Sequence, residues 1–144
     1  MKIYLKHAWL LILVAACGIS KKGIDYSEKP PDPSGIWSVS YMKDQPGMET
    51  QSNWWDKAFI EINTSEEKIS GSSGCNQFFG SFKILNGSVA VGPLASTKKY
   101  CMDVPEAEFF DALEGSNKYR IEGNTLILLK DEVIYLKFER KPEH

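Results

Sequence analysis

Three cysteines are the side chains in this 144-residue sequence best suited to covalent chemistry. They stand at Cys17, Cys75 and Cys101. A thiol can be acylated, oxidised to a disulfide or used as a nucleophile or metal ligand, and the neighbouring residues favour one of these uses. The surroundings predict acylation at Cys17 and a disulfide between the other two.

Cys17 ends a lipobox, because the small residues of Val14-Ala15-Ala16 lead directly into it. Two lysines near the start form a positive n-region, and residues 8–14 form an apolar h-region of signal-peptide length. That run is shorter than the ~20 apolar residues of a transmembrane helix. We predict a lipoprotein signal peptide over residues 1–16, cleaved before a lipidated Cys17. The alternative is an ordinary secretory signal with an incidental cysteine.

Cys75 and Cys101 remain as an even pair once Cys17 is acylated, in a compartment that permits disulfides. We predict that they are bonded, with a stabilisation of roughly 3.5 kcal/mol from loop closure. Two buried, reduced thiols are the alternative. A redox pair is less favoured, because catalytic dithiols usually have the much shorter C-x-x-C spacing.

Few other residues in the sequence are suited to catalysis, metal binding or phosphate binding. After cleavage of the predicted signal peptide, His144 is the one histidine that remains. A Ser-His-Asp or Cys-His arrangement therefore lacks a general base. Two bonded cysteines cannot supply a zinc ligand cluster. The segment Gly71-Ser72-Ser73-Gly74 lacks the Lys-Ser/Thr that completes a phosphate loop. We predict no catalytic residue, no cofactor and no metal, and therefore a protein that is not an enzyme.

The charge balance argues against nucleic acid as a partner. Cleavage removes two of the 17 basic residues, which leaves 15 against 19 acidic residues and a net charge of −4. Phosphate backbones require a basic stripe, and Lys98-Lys99 is too small a pair to differ from a solvated turn.

The remaining chain suits a single domain on a stalk. Residues 17–34 contain three prolines and little apolar material, so we predict a lipidated N-terminus and flexible tether there. The folded domain is predicted over residues 35–141. The expected location is the bacterial cell envelope, lipid-anchored to the outer membrane and facing the periplasm.

Short alternating segments separated by turn residues predict strands in most of the domain. Asn86-Gly87 is a strong type I′ hairpin signal. The predicted strands cover residues 36–42, 59–62, 68–70, 77–84, 88–91, 119–121, 125–129 and 133–139.

One segment is predicted to be helical. It begins at Asp103 or Val104, has Pro105 in its first turn and ends at Gly115, with an apolar stripe that includes Phe109. The predicted fold class is α+β, mostly antiparallel: a curled or partly closed β-barrel of about eight short strands with one helix packed against it.

Trp54 and Trp55 are candidates for contact with a partner. Adjacent side chains on an extended chain point to opposite sides, so one ring is expected to be exposed. The alternative is one ring in the core and one over a sheet edge. For Phe78-Phe79, burial of both rings beneath the helix is expected.

The stretch from Gly71 to Phe82 resembles the G-x-x-G-C-N-x-F-x-G-x-Y signature of the META domain (HslJ-like) family. Its motif residues here are Gly74, Cys75, Asn76, Phe78 and Gly80, and downstream Thr97 and Cys101 resemble the family's Thr-x-Met-x-Cys motif. Two departures are Lys99 at the usual Met and Phe82 at the usual Tyr.

The resemblance implies a small β-rich envelope domain, often on a lipoprotein and associated with envelope stress, without established catalysis. The motif is interpreted as architectural, with Asn76 bonding nearby backbone in an Asx-type turn. We therefore expect a non-catalytic protein that binds an envelope protein or cell-wall component. The alternative is a carrier that holds a small apolar ligand inside the curved sheet.

Overall fold

A computed structural model describes residues 30–45 and 54–142. The predicted signal peptide, Cys17 and most of the predicted tether lie outside these residues. The elements, in chain order, are β1 Gly35–Met42, α1 Trp54–Lys57, β2 Ala58–Asn63, β3 Lys68–Ser73, β4 Gln77–Leu85, β5 Ser88–Val91, β6 Ala95–Ser96, α2 Glu106–Gly115, β7 Lys118–Glu122, β8 Thr125–Lys130 and β9 Val133–Arg140.

The nine strands form one antiparallel sheet in the order β3-β2-β1-β9-β8-β7-β5-β4-β6, and β3 also pairs with β4. That extra pairing joins eight strands into a ring, so the predicted partly closed barrel is confirmed. The ring is weakest between β5 and β7, where the register consists of Ser88 opposite Lys118. Helix α2 packs against β5 and β9.

Local turn chemistry sets the register of the β4–β5 hairpin. Asn86 and Gly87 have φ values of 51° and 80°, as the predicted type I′ turn requires. Leu85 therefore lies opposite Ser88, and Phe82 lies opposite Val91.

The barrel interior is filled by large apolar side chains from the strands and from α2. In β9 the alternate residues Ile134, Leu136 and Phe138 share one face. Leu136 and Phe138 are fully buried, whereas Ile134 is half-buried near a register irregularity. Other side chains with under 2 % exposure include Trp37, Ile60, Phe82, Phe109, Leu113 and Leu126.

Several local expectations are wrong. Phe79 is 66 % exposed whereas Phe78 is buried, because a single-layer barrel has one inner face and successive residues alternate across it. Helix α2 begins at Glu106, with Pro105 at its N-cap. Asp103 has a φ of 61°, a left-handed conformation that a helix cannot contain.

The last residues assigned to the tether pack on the domain. Pro33 is fully buried and accepts a hydrogen bond from the Trp37 indole at 2.8 Å. The Tyr119 hydroxyl donates to the Pro31 carbonyl at 2.9 Å, and the Arg140 guanidinium donates to the Ser34 carbonyl at 3.1 Å. The residues packed on the domain thus include Pro31, Pro33 and Ser34, which precede Gly35.

Deprotonation of the Tyr119 hydroxyl should lower the free energy of unfolding in alkaline solution. Burial, and secondarily the charge of Asp32, raises the pKa of its hydroxyl above the ordinary 10.0. A raised pKa in the folded state means that the stabilisation is complete below pH 10.0 and is lost as the pH rises through the folded-state pKa. Urea unfolding across this range should show a smaller alkaline loss in Tyr119→Phe. Equal losses in both proteins would contradict the assignment.

Candidate binding site

The family-like signature forms the tight turn between β3 and β4. The Ser73 amide donates to the Asn76 carbonyl at 2.9 Å, and the Asn76 amide donates back to the Ser73 hydroxyl at 2.9 Å. Gly74 has a φ of +88°, and a Cβ there would lie 2.5 Å from the Trp54 carbonyl oxygen. Glycine is needed here for both its conformation and its size.

The other two signature glycines allow close approach of neighbouring chain segments. A Cβ on Gly71 would lie 2.1 Å from the carbonyl oxygen of Phe59 on the adjacent strand. A Cβ on Gly80 would lie 2.7 Å from the Leu94 side chain. These distances give the signature a packing explanation that needs no ligand.

The side chain of Asn76 is 3 % exposed and its amide uses all four hydrogen-bonding positions within the protein. Its oxygen accepts from the Thr97 hydroxyl at 2.7 Å and the Lys99 amide at 2.8 Å. Its nitrogen donates to the Lys99 carbonyl at 3.0 Å and to Glu106 at 2.7 Å. Asn76 therefore ties the turn to a distant segment, instead of forming the predicted local Asx turn.

Glu106 connects this network to the first turn of α2. The carboxylate oxygen that accepts from Asn76 also lies 3.1 Å from the Ser73 hydroxyl. We call Ser73, Asn76, Thr97, Lys99 and Glu106 the Asn76 latch. It joins three parts of the chain: the β3–β4 turn, the segment after β6 and the start of α2.

The cysteines predicted to pair are bonded beside the latch. Cys75 and Cys101 form a disulfide with Cα atoms 5.9 Å apart, in the usual range. The bond joins the β3–β4 turn to the segment that leads into α2. The segment from Thr97 to Cys101 is thus fixed by the latch and by the disulfide.

Neither Trp54 nor Trp55 presents a fully exposed ring to a partner. Trp54 and Trp55 lie in the short helix α1 instead of on an extended chain, and Trp54 is only 7 % exposed. Its ring contacts Phe109 edge-on with a centroid distance of 6.2 Å. Trp55 is half-buried and packs against the core.

Phe78 continues this aromatic cluster beneath α2. Its ring contacts Phe109 and Phe110 edge-on, with centroid distances of 6.0 and 5.3 Å. The signature phenylalanine therefore supports the helix from inside the barrel.

An open cleft of about 460 Å³ lies between the latch segment and α2. Four latch residues line it: Asn76, Thr97, Lys99 and Glu106. Its further lining includes Ser96, Lys98, Tyr100 and Phe110. Tyr100 is 89 % exposed, and nearby Met102 is 73 % exposed.

Sequence reasoning missed this cleft. The sequence alone does not distinguish Lys98-Lys99 from a solvated turn, and Tyr100 belongs to no predicted strand or helix. One available signal was the position of these residues between two structural motif positions, Thr97 and Cys101. Residues held between two fixed points have a defined conformation and can present side chains for binding.

Exposed ion pairs outside the latch account for several pKa shifts. A hydrogen bond to Glu132 raises the pKa of Lys118, and one to Lys68 lowers the pKa of Glu66. The pKa of Lys43 is raised by the aspartate that follows it. Pairs of this kind contribute little to stability because water and salt screen them.

Within residues 30–45 and 54–142, no group of three or more His, Cys, Asp or Glu side chains could hold a metal ion. The same part of the chain contains no helix long and apolar enough to span a membrane.

The partly closed antiparallel barrel, its packed helix and the Gly-Cys-Asn turn define a small β-barrel domain with a structural motif. The chain belongs to the META domain family, whose match covers residues 34–143. No curated protein matches the chain at a significant level.

Solved structures show the same fold. A protein from Burkholderia xenovorans, determined by NMR, is 23 % identical with a TM-score of 0.60, covering 85 % of this chain and 99 % of its own. A DUF4847 family protein from Bacteroides vulgatus is 17 % identical with a TM-score of 0.56, covering 77 % of this chain and 95 % of its own. At these identities the likeness concerns the fold alone.

Proposed function

We propose that this protein is an envelope lipoprotein whose META domain binds a protein or cell-wall component without catalysing a reaction. Cys17 carries the lipid and anchors the chain to the outer membrane, facing the periplasm. The domain then contributes to envelope integrity under stress, as the HslJ-like resemblance implies. Nucleic acid has no place in this role.

The observation that carries the proposal is the cleft beside the Asn76 latch. Its aromatic residue Tyr100 is almost fully exposed, yet its backbone segment is held by the latch on one side and by the disulfide on the other. A segment whose backbone is already fixed loses little backbone conformational entropy on binding. Tyrosine in particular combines an apolar ring with a polar hydroxyl and is enriched at interfaces.

The internal bonding of the latch supports a role in binding rather than catalysis. The Asn76 amide has no remaining donor or acceptor position to offer a reacting group. The two sulfurs are bonded to each other, so neither is a free thiolate nucleophile. The motif therefore supports the walls of the cleft.

The alternative carrier would need an apolar cavity inside the sheet. Trp37, Phe82, Phe109 and Phe138 all project into that interior with under 2 % exposure. Aromatic side chains from the strands and from α2 thus occupy the space that an enclosed ligand would use. This packing favours binding at the outer cleft.

Anchoring through Cys17 can be tested by Cys17→Ser. Without the lipobox thiol, the precursor should incorporate no labelled fatty acid and should leave the detergent-soluble membrane fraction. Metabolic labelling followed by fractionation measures both effects. Fatty-acid incorporation that persists in the variant would contradict lipidation at this residue.

Binding at the cleft can be tested with a photo-crosslinking amino acid at position 100, activated in intact cells. We expect a discrete adduct with an envelope protein or with cell-wall material. The same amino acid at Val133, which is 48 % exposed in the β8–β9 hairpin, is the control. Equal labelling at both positions, or none at position 100, would contradict the proposal.

A further inference from the structure

We propose that the cleft beside the Asn76 latch binds a glycan that carries carboxylate groups, with its sugar ring against Tyr100 and its carboxylates on Lys98 and Lys99. This inference rests on the proposed function and specifies the chemistry of its ligand.

The first argument is the hydrogen-bonding capacity that the cleft leaves available. Ser96, Lys98, Lys99 and Tyr100 all line it, and their side chains have no hydrogen-bond or ion-pair partner in the described part of the chain. All four can donate, and the two ammonium groups can only donate. A complementary ligand must therefore be rich in acceptors.

The second argument is that several acceptors of the cleft are already occupied. The Asn76 side-chain oxygen accepts two hydrogen bonds, and the Thr97 hydroxyl oxygen accepts from the Gln77 amide at 3.2 Å. One Glu106 oxygen accepts from Asn76. Hydrogen bonds within the protein thus occupy these acceptor atoms, whereas the donor groups of Lys98, Lys99 and Tyr100 are exposed to solvent.

The local charge favours an anion although the whole protein is acidic. Lys98 and Lys99 bring two positive charges to the cleft and Glu106 brings one negative charge. Hydrogen bonds from an ammonium group to a carboxylate are stronger than neutral ones. The cleft is therefore a local positive site, and carboxylate is the group it would select.

A further argument is the apolar surface beside these charges. Tyr100 is exposed, and the half-buried Phe110, whose ring packs edge-on with Phe78, also lines the cleft. The C–H face of a pyranose ring is apolar and packs on an aromatic ring, while its hydroxyls remain available to donors such as Ser96. A sugar with carboxylates therefore matches the exposed donors, the positive charge and the apolar ring surface of the cleft.

Size favours a glycan over a folded protein. The cleft volume of about 460 Å³ lies in the range of small-ligand sites. A stable protein interface usually covers roughly 800 Å² on each partner, far more than one such cleft offers. An acidic protein segment and an anionic membrane are therefore treated as competing outcomes.

The experiment titrates the full chain, in detergent micelles, with a soluble cell-wall fragment: a disaccharide with a short peptide whose carboxylates are free. The matched ligand is the same fragment with those carboxylates amidated. Amide chemical shifts report the site and the Kd. We expect shifts in the segment from Ser96 to Tyr100 and about tenfold weaker binding after amidation, as the loss of charged hydrogen bonds predicts.

Protein variants separate local charge from net charge. Lys98→Gln with Lys99→Gln should weaken binding of the free-carboxylate fragment about tenfold and abolish the preference over the amidated one. Lys118→Gln with Lys130→Gln removes two exposed lysines elsewhere and should leave the Kd unchanged. Tyr100→Ala should weaken both fragments equally, because both carry the sugar ring.

Three results would overturn the inference: equal Kd values for the two fragments, unchanged affinity in the Lys98/Lys99 variant, or tighter binding to a Glu-rich peptide or phosphatidylglycerol vesicles than to the fragment. An adduct from position 100 in cells, without binding of the fragment, would overturn the inference and leave the proposed function standing. Absence of both would count against both.

Discussion

Replacing Asn76 with alanine is expected to lower the free energy of unfolding by about 3 kcal/mol. The substitution removes the side-chain hydrogen bonds that Asn76 makes with Thr97, Lys99 and Glu106. Each such bond contributes about 0.5–1.5 kcal/mol, and a bond to a charged group such as Glu106 contributes more. Urea unfolding followed by tryptophan fluorescence measures the change.

Asn117→Ala is the matched control for this variant. Asn117 is exposed, and its side chain also bonds backbone and side-chain atoms, both of Asp131. Its replacement should cost under about 1 kcal/mol, because water replaces the lost bonds. Comparable losses in the two variants would contradict the view that burial and long-range bonding make Asn76 special.

Reduction of the Cys75–Cys101 disulfide should lower the free energy of unfolding by about 2–4 kcal/mol. The bond closes a loop with a sequence separation of 26 and fixes the segment that leads into α2. Without it, the unfolded chain gains conformational freedom and the segment from Thr97 to Cys101 is held by the latch alone. Paired urea curves with and without a thiol reductant measure the loss.

Cys75→Ser with Cys101→Ser provides the control for the reductant. This variant should match the reduced protein in stability and should not respond to added thiol. Alkylation and non-reducing mass spectrometry of protein taken directly from the envelope then count free thiols. Two free thiols in that sample would contradict a structural disulfide.

The predictable part of the fold is the part that depends on local pattern. Alternation in β9 identified the buried Leu136 and Phe138, and Asn86-Gly87 identified a hairpin whose turn conformation depends only on those two residues. Cysteine parity indicated the Cys75–Cys101 pair without any knowledge of distance. The first two signals depend only on residues close together in the sequence, and the third depends on the number of cysteines left once Cys17 is acylated.

The parts that sequence reasoning missed depend on contacts between distant residues. Strand β6 has two residues and exists because it pairs with Phe78 and Phe79 on β4. Pro33 lies in a proline-rich stretch that predicts a tether. It is nevertheless fully buried, and its carbonyl accepts a hydrogen bond from the Trp37 indole. No local pattern can report such tertiary partners.

The candidate site also depends on contacts between distant residues. Asn76 was recognised as a motif residue, but the nature of its role depends on Lys99 and Glu106, which lie far along the chain. A short Asx turn and a long-range latch have the same local sequence. The cleft arises from the latch, and so it too could not be derived from the motif alone.

The Lys99 backbone amide gives the most direct measurement of the latch. Lys99 lies in an exposed segment outside the strands and helices, so its amide would exchange rapidly with solvent if nothing held it. Because it donates to the Asn76 oxygen at 2.8 Å, we predict exchange as slow as that of the barrel strands. That protection should disappear in Asn76→Ala. Rapid exchange of the Lys99 amide in the wild-type, disulfide-bonded protein would contradict the architectural role of the signature.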